Sequence, residues 1–235
     1  MPKYAHILIF SVIFLSPVFA NSQKKFLDSS DTQTITNAGM TSAVLFTGAI
    51  FYDQKLNNFI QNNQSGFLSD YANSFYRLGD KKILVPLNAL IYGGSWALKN
   101  ERMQHTSLNA FKSILSTAIL TEGGKQVFGR TRPYMDKGAY HFRSFPIFRN
   151  NSNHYKSLPS GHASLSFAFI TPYAEEYSRW LYLIPTSVAF NRVYKNKHWL
   201  SDVILGSTIG WLSGYFFHHK NEHIEITLNS IIIKF

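Results

Sequence analysis

The chain has 235 residues, 45% of them hydrophobic, and carries 23 Lys and Arg against 13 Asp and Glu, a formal charge of +10. That length supports one substantial core and calls for no second domain, while the charge favours an anionic partner: nucleic acid, an acidic membrane surface or a phosphorylated small molecule. Cysteine is absent, which excludes a disulfide framework, a thiolate nucleophile and a cysteine metal site.

In chain order, Lys3 precedes an apolar run over 7–19 that ends in the small residue Ala20. Residues 1–20 are therefore expected to be a signal peptide, or else an N-terminal membrane anchor. Either way the remainder is exported, to the periplasm or the periplasmic face of a bacterial envelope membrane, which disfavours nucleic acid as the partner. The polar stretch 21–36 reads as a flexible leader before a bundle over 37–235.

Apolar-rich stretches at 38–52, 83–98, 108–120, 163–177, 180–190 and 203–217 predict helices. The expected fold is all-α, a single bundle of about six helices. The Asn-rich segment 57–69 reads as a loop or a short surface helix. Residues 224–235 alternate in polarity and predict an edge strand or an extended tail. Each helical stretch is shorter than the roughly 20 residues of a full membrane span, which favours a soluble or peripheral bundle over an embedded one.

Three clusters carry chemistry. In the first, Lys125 and Arg132 stand seven apart, two turns, so a continuing helix would present both on one face, to be stopped by Pro133. In the second, Pro159-Ser160-Gly161-His162 opens a helical run, so the amides of Ser160, Gly161 and His162 would face an anion, with the Ser160 hydroxyl as a further donor. In the third, His198 and Asp202 are four apart, which would set imidazole and carboxylate on one helix face with Asp202 accepting the Nδ1 proton. Alternating helix directions in a short-looped bundle bring all three clusters to one end, where the active site is expected. The other end gathers the mixed charges of Arg102, Glu176 and His218.

The pattern Lys125-x6-Arg132-Pro133, Pro159-Ser160-Gly161-His162 and Arg192-x5-His198-x3-Asp202 resembles the three-part signature of the type 2 phosphatidic acid phosphatase superfamily, which includes lipid phosphatases, bacterial class A acid phosphatases and vanadium haloperoxidases. The resemblance covers 125–202. It implies a metal-independent phosphatase without a cofactor, in which Lys125, Arg132 and Arg192 clamp the phosphate with Ser160 and the Gly161 amide. His198 would attack phosphorus, Asp202 orient it and His162 protonate the leaving oxygen. Asn191 departs from the pattern, where Ser is usual, and is expected to donate to phosphate in its place.

The loop over 134–157 joins the first two clusters and is expected to shape the leaving-group pocket. The substrate expected from the aromatic content and apolar helices is a phosphorylated lipid (phosphatidate, an isoprenyl diphosphate or a lipid A phosphate), with membrane-surface contact. The alternatives are a soluble broad-specificity acid phosphatase of the periplasm and a non-catalytic basic envelope protein that binds anionic lipid.

Overall fold

The structure, a computed structural model, describes residues 27–148, 152–220, 224–227 and 230–233. Seven α-helices run through the described residues: α1 Ser29–Asn62, α2 Gly66–Ser74, α3 Lys81–Ala97, α4 Glu101–Phe128, α5 Gly161–Glu176, α6 Leu183–Tyr194 and α7 Leu200–His219. Strands β1 Ile224–Thr227 and β2 Ser230–Ile233 pair antiparallel after them. The expected all-α bundle is present, with one helix more than expected and with the predicted strand region forming a hairpin. The expected signal peptide lies outside the described residues.

Local chemistry sets the ends of the helices. The Asp80 carboxylate accepts the Lys82 amide at 2.9 Å and starts α3, and the Asn100 side chain accepts the Met103 amide at 3.0 Å and starts α4. Gly129 ends α4 in the left-handed region at φ 56°, where a Cβ would lie 1.6 Å from the Arg143 carbonyl oxygen. That residue can only be glycine.

Helix α5 is the axis of the bundle, packed on α7 and α4. Its approach to α7 is close because Gly206, Gly210 and Gly214 recur every four residues on one face of α7; a Cβ on Gly210 would sit 2.0 Å from the Ser164 carbonyl oxygen. Leu84, Ala110, Ile114, Phe169, Ile170 and Tyr173 form the core between α3, α4 and α5. A buried polar bridge crosses it, Tyr173 Oη donating to Asn88 at 2.7 Å. At the end remote from the clusters, Arg102 pairs with Glu176 and His218 stands 3.6 Å from the same carboxylate.

Three expectations change. Residues 29–36, read as leader, are the first turns of α1, held by Ile35 packing against Tyr215. The segment 57–69 is divided between the end of α1 and the start of α2. The stretches were also short of their true lengths: α1 runs for 34 residues and α4 for 28. Polar side chains inside them, such as Thr36 and Thr47, bond the carbonyl one turn back rather than break the helix.

Among the described residues one helix, α1, is long and apolar enough to cross a membrane. Val44, Phe51 and Phe59 on α1, Leu90 and Trp96 on α3, and Leu115 and Ile119 on α4 are all more than half exposed.

Candidate active site

The first cluster does not lie on one helix face. Lys125 is in the last turn of α4, whereas Arg132 follows the Gly129 stop in extended backbone. Its amide donates to His154 and the preceding amide to His141, both at 3.0 Å, so the 134–157 loop is sewn to this strand-like run. Trp199, just before α7, donates its indole N–H to the Thr131 carbonyl at 2.9 Å and ties the first cluster to the third.

His198 likewise lies outside a helix, and Asp202 is the third residue of α7, accepting the Trp199 amide at 2.9 Å. Their spacing of four is thus the geometry of a helix cap. His198 Nδ1 is 2.8 Å from the Ser157 carbonyl oxygen, so Nδ1 carries the proton and Nε2 the lone pair. Asp202 Oδ2 stands 3.7 Å from Nδ1, beyond hydrogen-bonding range. The expectation that Asp202 accepts this proton is corrected: the carbonyl fixes the tautomer and Asp202 acts by charge. Burial, then the positive charge of Arg132, pushes the His198 pKa down to about 3. The ring is a neutral, buried base.

Arg132 donates from Nη1 to His198 Nε2 at 3.1 Å, and to the carbonyls of Lys197 at 3.1 Å and Asn153 at 3.0 Å. The guanidinium therefore sits on the histidine lone pair, framed by backbone oxygens from the loop and from the connection between α6 and α7. Arg192 is held differently. Asn191 accepts from its Nε at 3.0 Å and its Nη2 at 2.6 Å, while the Asn191 amide donates to the Ala72 carbonyl at 2.5 Å. With that amide committed to Ala72, the expectation that it donates to phosphate is overturned: Asn191 aims Arg192 instead.

At the start of α5 the Ser160 amide donates to the Asp202 carbonyl at 2.9 Å, so it is not free for an anion as expected. The Ser160 hydroxyl is buried with no hydrogen-bond partner, as are those of Thr117 and Thr171 deeper in the bundle. A Cβ on Gly161 would lie 3.0 Å from Lys125 Nζ, so this ammonium rests on the helix N-terminus. It also pairs with Glu122 at 3.3 Å, and Lys156 pairs with the same carboxylate at 2.8 Å.

His162, one residue on, faces the Tyr76 ring at 6.4 Å between centroids, and Tyr76 also covers the Arg192 guanidinium at 5.0 Å. Burial and then Arg192 push the His162 pKa down to about 4. Every residue predicted for the site comes to this one end of the bundle.

Sequence reasoning missed Tyr76, Ser157, Asp53, Arg130 and Ser201. Asp53 carried a signal, being the one charged residue between Asp31 and Lys55. Arg130, fully buried, bonds both Asp53 and Asp202. Tyr76 and Ser157 carried none, since each reaches the site by tertiary packing.

A family model described as the PAP2 superfamily matches residues 107–224. A curated lipid A 1-phosphatase of Porphyromonas gingivalis is 28% identical over 158 residues, 61% of this chain and 31% of that protein, so the chain spans less than a third of that relative. Among solved structures, LpxE of Aquifex aeolicus aligns with a TM-score of 0.52 at 22% identity, over 69% of this chain and 92% of that one. A transmembrane PAP2 type phosphatidylglycerolphosphate phosphatase from Bacillus subtilis aligns at 0.48 and 19% identity, over 92% and 94%. With the family model covering half the sequence and all three clusters, the chain belongs to the PAP2 superfamily.

Proposed function

We propose that the chain is a phosphatase that removes phosphate from a membrane lipid through a phosphohistidine on His198. The observation that carries this reading is the neutral, buried His198, whose Nε2 lone pair points at a guanidinium, with a second guanidinium, an ammonium and an unpartnered hydroxyl around it. Phosphate entering between them takes Arg132 from the lone pair, and Arg192, Lys125, Ser160 Oγ and the Gly161 amide receive its remaining oxygens. Nε2 then forms the N–P bond as the P–O bond breaks. The leaving oxygen takes the electron pair and, from His162, a proton.

Water next attacks phosphorus, His162 takes its proton, and the N–P bond pair returns to Nε2. Barriers to phosphate monoester hydrolysis require on the order of 20 kcal/mol of stabilisation. Fixed cations supply the charge compensation that a metal would provide elsewhere. Incubation with radiolabelled lipid phosphate and excess chelator should trap an acid-labile, base-stable phosphoenzyme, and His198→Ala should abolish it. Activity that disappears with chelator would refute the metal-independent route.

A lipid substrate is supported by the apolar flanks of α1, α3 and α4, which we place against the bilayer with the site end in the aqueous interface, facing the periplasm. Phe145, Ile147 and Phe148, each more than half exposed, add an apolar knuckle to the loop beside that end. The enclosed α5, of 16 residues, is not a lipid-facing helix. A groove of about 550 Å³ lined by Leu68, Tyr71, Phe75, Leu183 and Phe190 lies between α2 and α6. Phe75 and Phe190 directly precede Tyr76 and Asn191 in the chain, and we infer that a lipid leaving group departing past His162 enters this groove. The lipid A 1-phosphatase relative accords with such a substrate.

A further inference from the structure

The guanidinium of Arg130 is fully buried, and all five of its N–H groups are used. Nε and Nη2 donate to the Ala139 carbonyl at 2.9 and 2.7 Å, and Nη1 donates to Ser201 Oγ and Asp202 Oδ1, both at 2.7 Å. The fifth bond, from Nη2, goes to Asp53 Oδ2 at 2.8 Å. Phe142 and Trp199 cover the guanidinium at 5.5 and 5.4 Å from their ring centroids.

Asp53 belongs to α1, outside the span that matches the family model. Its other oxygen accepts the Ser201 amide at 3.0 Å, and Ser201 Oγ donates to Oδ2 at 2.5 Å. Every partner of Asp53 is a donor, as an ionised carboxylate requires.

The charge count gives this arrangement its meaning. Asp202 opposite Arg130 alone would be a neutral pair, and its field at His198 would be partly cancelled. With Asp53 sharing the same guanidinium, the buried cluster carries one net negative charge, placed against a ring that becomes a cation when Nε2 bonds to phosphorus with Nδ1 still protonated. We propose that Asp53 and Arg130 are positioning residues that act through Asp202, holding a net charge of minus one against His198 so that the phosphohistidine cation is stabilised. The inference rests on the phosphohistidine reading above. Charges in such a water-excluded site interact strongly, and fixed ones cost no reorganisation at the moment of reaction.

The test uses the full chain in detergent, with phosphoenzyme formation followed by rapid quench on a lipid phosphate. Asp53→Asn keeps the shape and removes one charge. We expect the phosphorylation rate to fall at least tenfold, with KM and inhibition by vanadate within threefold of the unsubstituted chain. Adding Arg130→Gln to Asp53→Asn returns the cluster to minus one and should recover at least fivefold of the loss. A purely structural role makes the double variant the poorer of the two.

Joint replacement of a buried ion pair is tolerated better than a single unpaired charge. If Asp53→Asn alone does not fold, the double variant is therefore read by itself, and a rate below about 1% of the unsubstituted chain overturns the inference. Equal rates in Asp53→Asn and the unsubstituted chain overturn it as well. Absence of any phosphoenzyme in the unsubstituted chain would instead overturn the parent reading, and this inference with it.

Discussion

In the proposed reaction the two histidines divide their work by what surrounds them. His198 is locked by the Ser157 carbonyl into the tautomer with a free Nε2 and held neutral by burial, so it remains a base far below pH 6. His162 has its pKa lowered to about 4, by burial first and then Arg192, so in the phosphate-free site it too is unprotonated near neutrality. In the proposed reaction the proton it delivers therefore enters with the substrate, as a phosphate monoanion whose remaining proton has a pKa of about 6.

Accordingly, kcat/KM should fall as pH rises above about 6. His162→Ala should cost a hundredfold or more on an alkyl phosphate, in keeping with general-acid contributions of about 10²–10⁴, but under tenfold on p-nitrophenyl phosphate, whose leaving group needs no proton. Parallel steady-state assays on the two substrates decide this. Equal losses in kcat/KM, which excludes the later attack of water, would show that His162 does not protonate the leaving oxygen.

At the scale of elements, the site exists because α5 and α7 start side by side. The Ser160 amide bonds the Asp202 carbonyl, joining the two helix N-termini, and the glycine face of α7 lets the axes approach closely enough for that bond. Gly210→Ala would drive a methyl group to 2.0 Å from the Ser164 carbonyl oxygen. Backbone on both sides leaves little room to yield, and overpacking of this kind costs about 1–3 kcal/mol. Thermal unfolding should show a Tm lowered by several degrees, with kcat reduced because the two N-termini shift apart. An unchanged Tm would mean that α7 is free to slide.

For the whole molecule, the relevant contrast is between a lipid and a soluble ester. Burying about four methylenes in the groove between α2 and α6, at ~0.8 kcal/mol each, is worth ~200-fold in binding. The chain should therefore turn over a long-chain lipid phosphate with a kcat/KM on the order of a hundredfold above that of glycerol phosphate. Replacing Phe75 and Phe190 by Ala should reduce that preference while leaving the soluble ester unaffected. Equal kcat/KM values for the two substrates would identify a broad-specificity acid phosphatase instead.

The amino-acid sequence by itself determined the helical class, the three clusters and their gathering at one end of the bundle. Those features reside in local apolar patterning, helix start signals and the short spacings of Lys125, Arg132, Ser160, Gly161, His162, Arg192, His198 and Asp202. Only the tertiary structure decided what each residue touches. The spacing of four between His198 and Asp202 fits a helix face and a helix cap equally well, and the choice was made by Trp199 packing under the Arg130 run. Asn191 could serve phosphate or Arg192, and the carbonyl of Ala72, 119 residues away, took its donor. Asp53 reads as an isolated acid in an apolar stretch until α1 packs against α7 and sets it on Arg130. Hydrogen bonds between distant segments depend on how whole helices pack, and no local pattern encodes that.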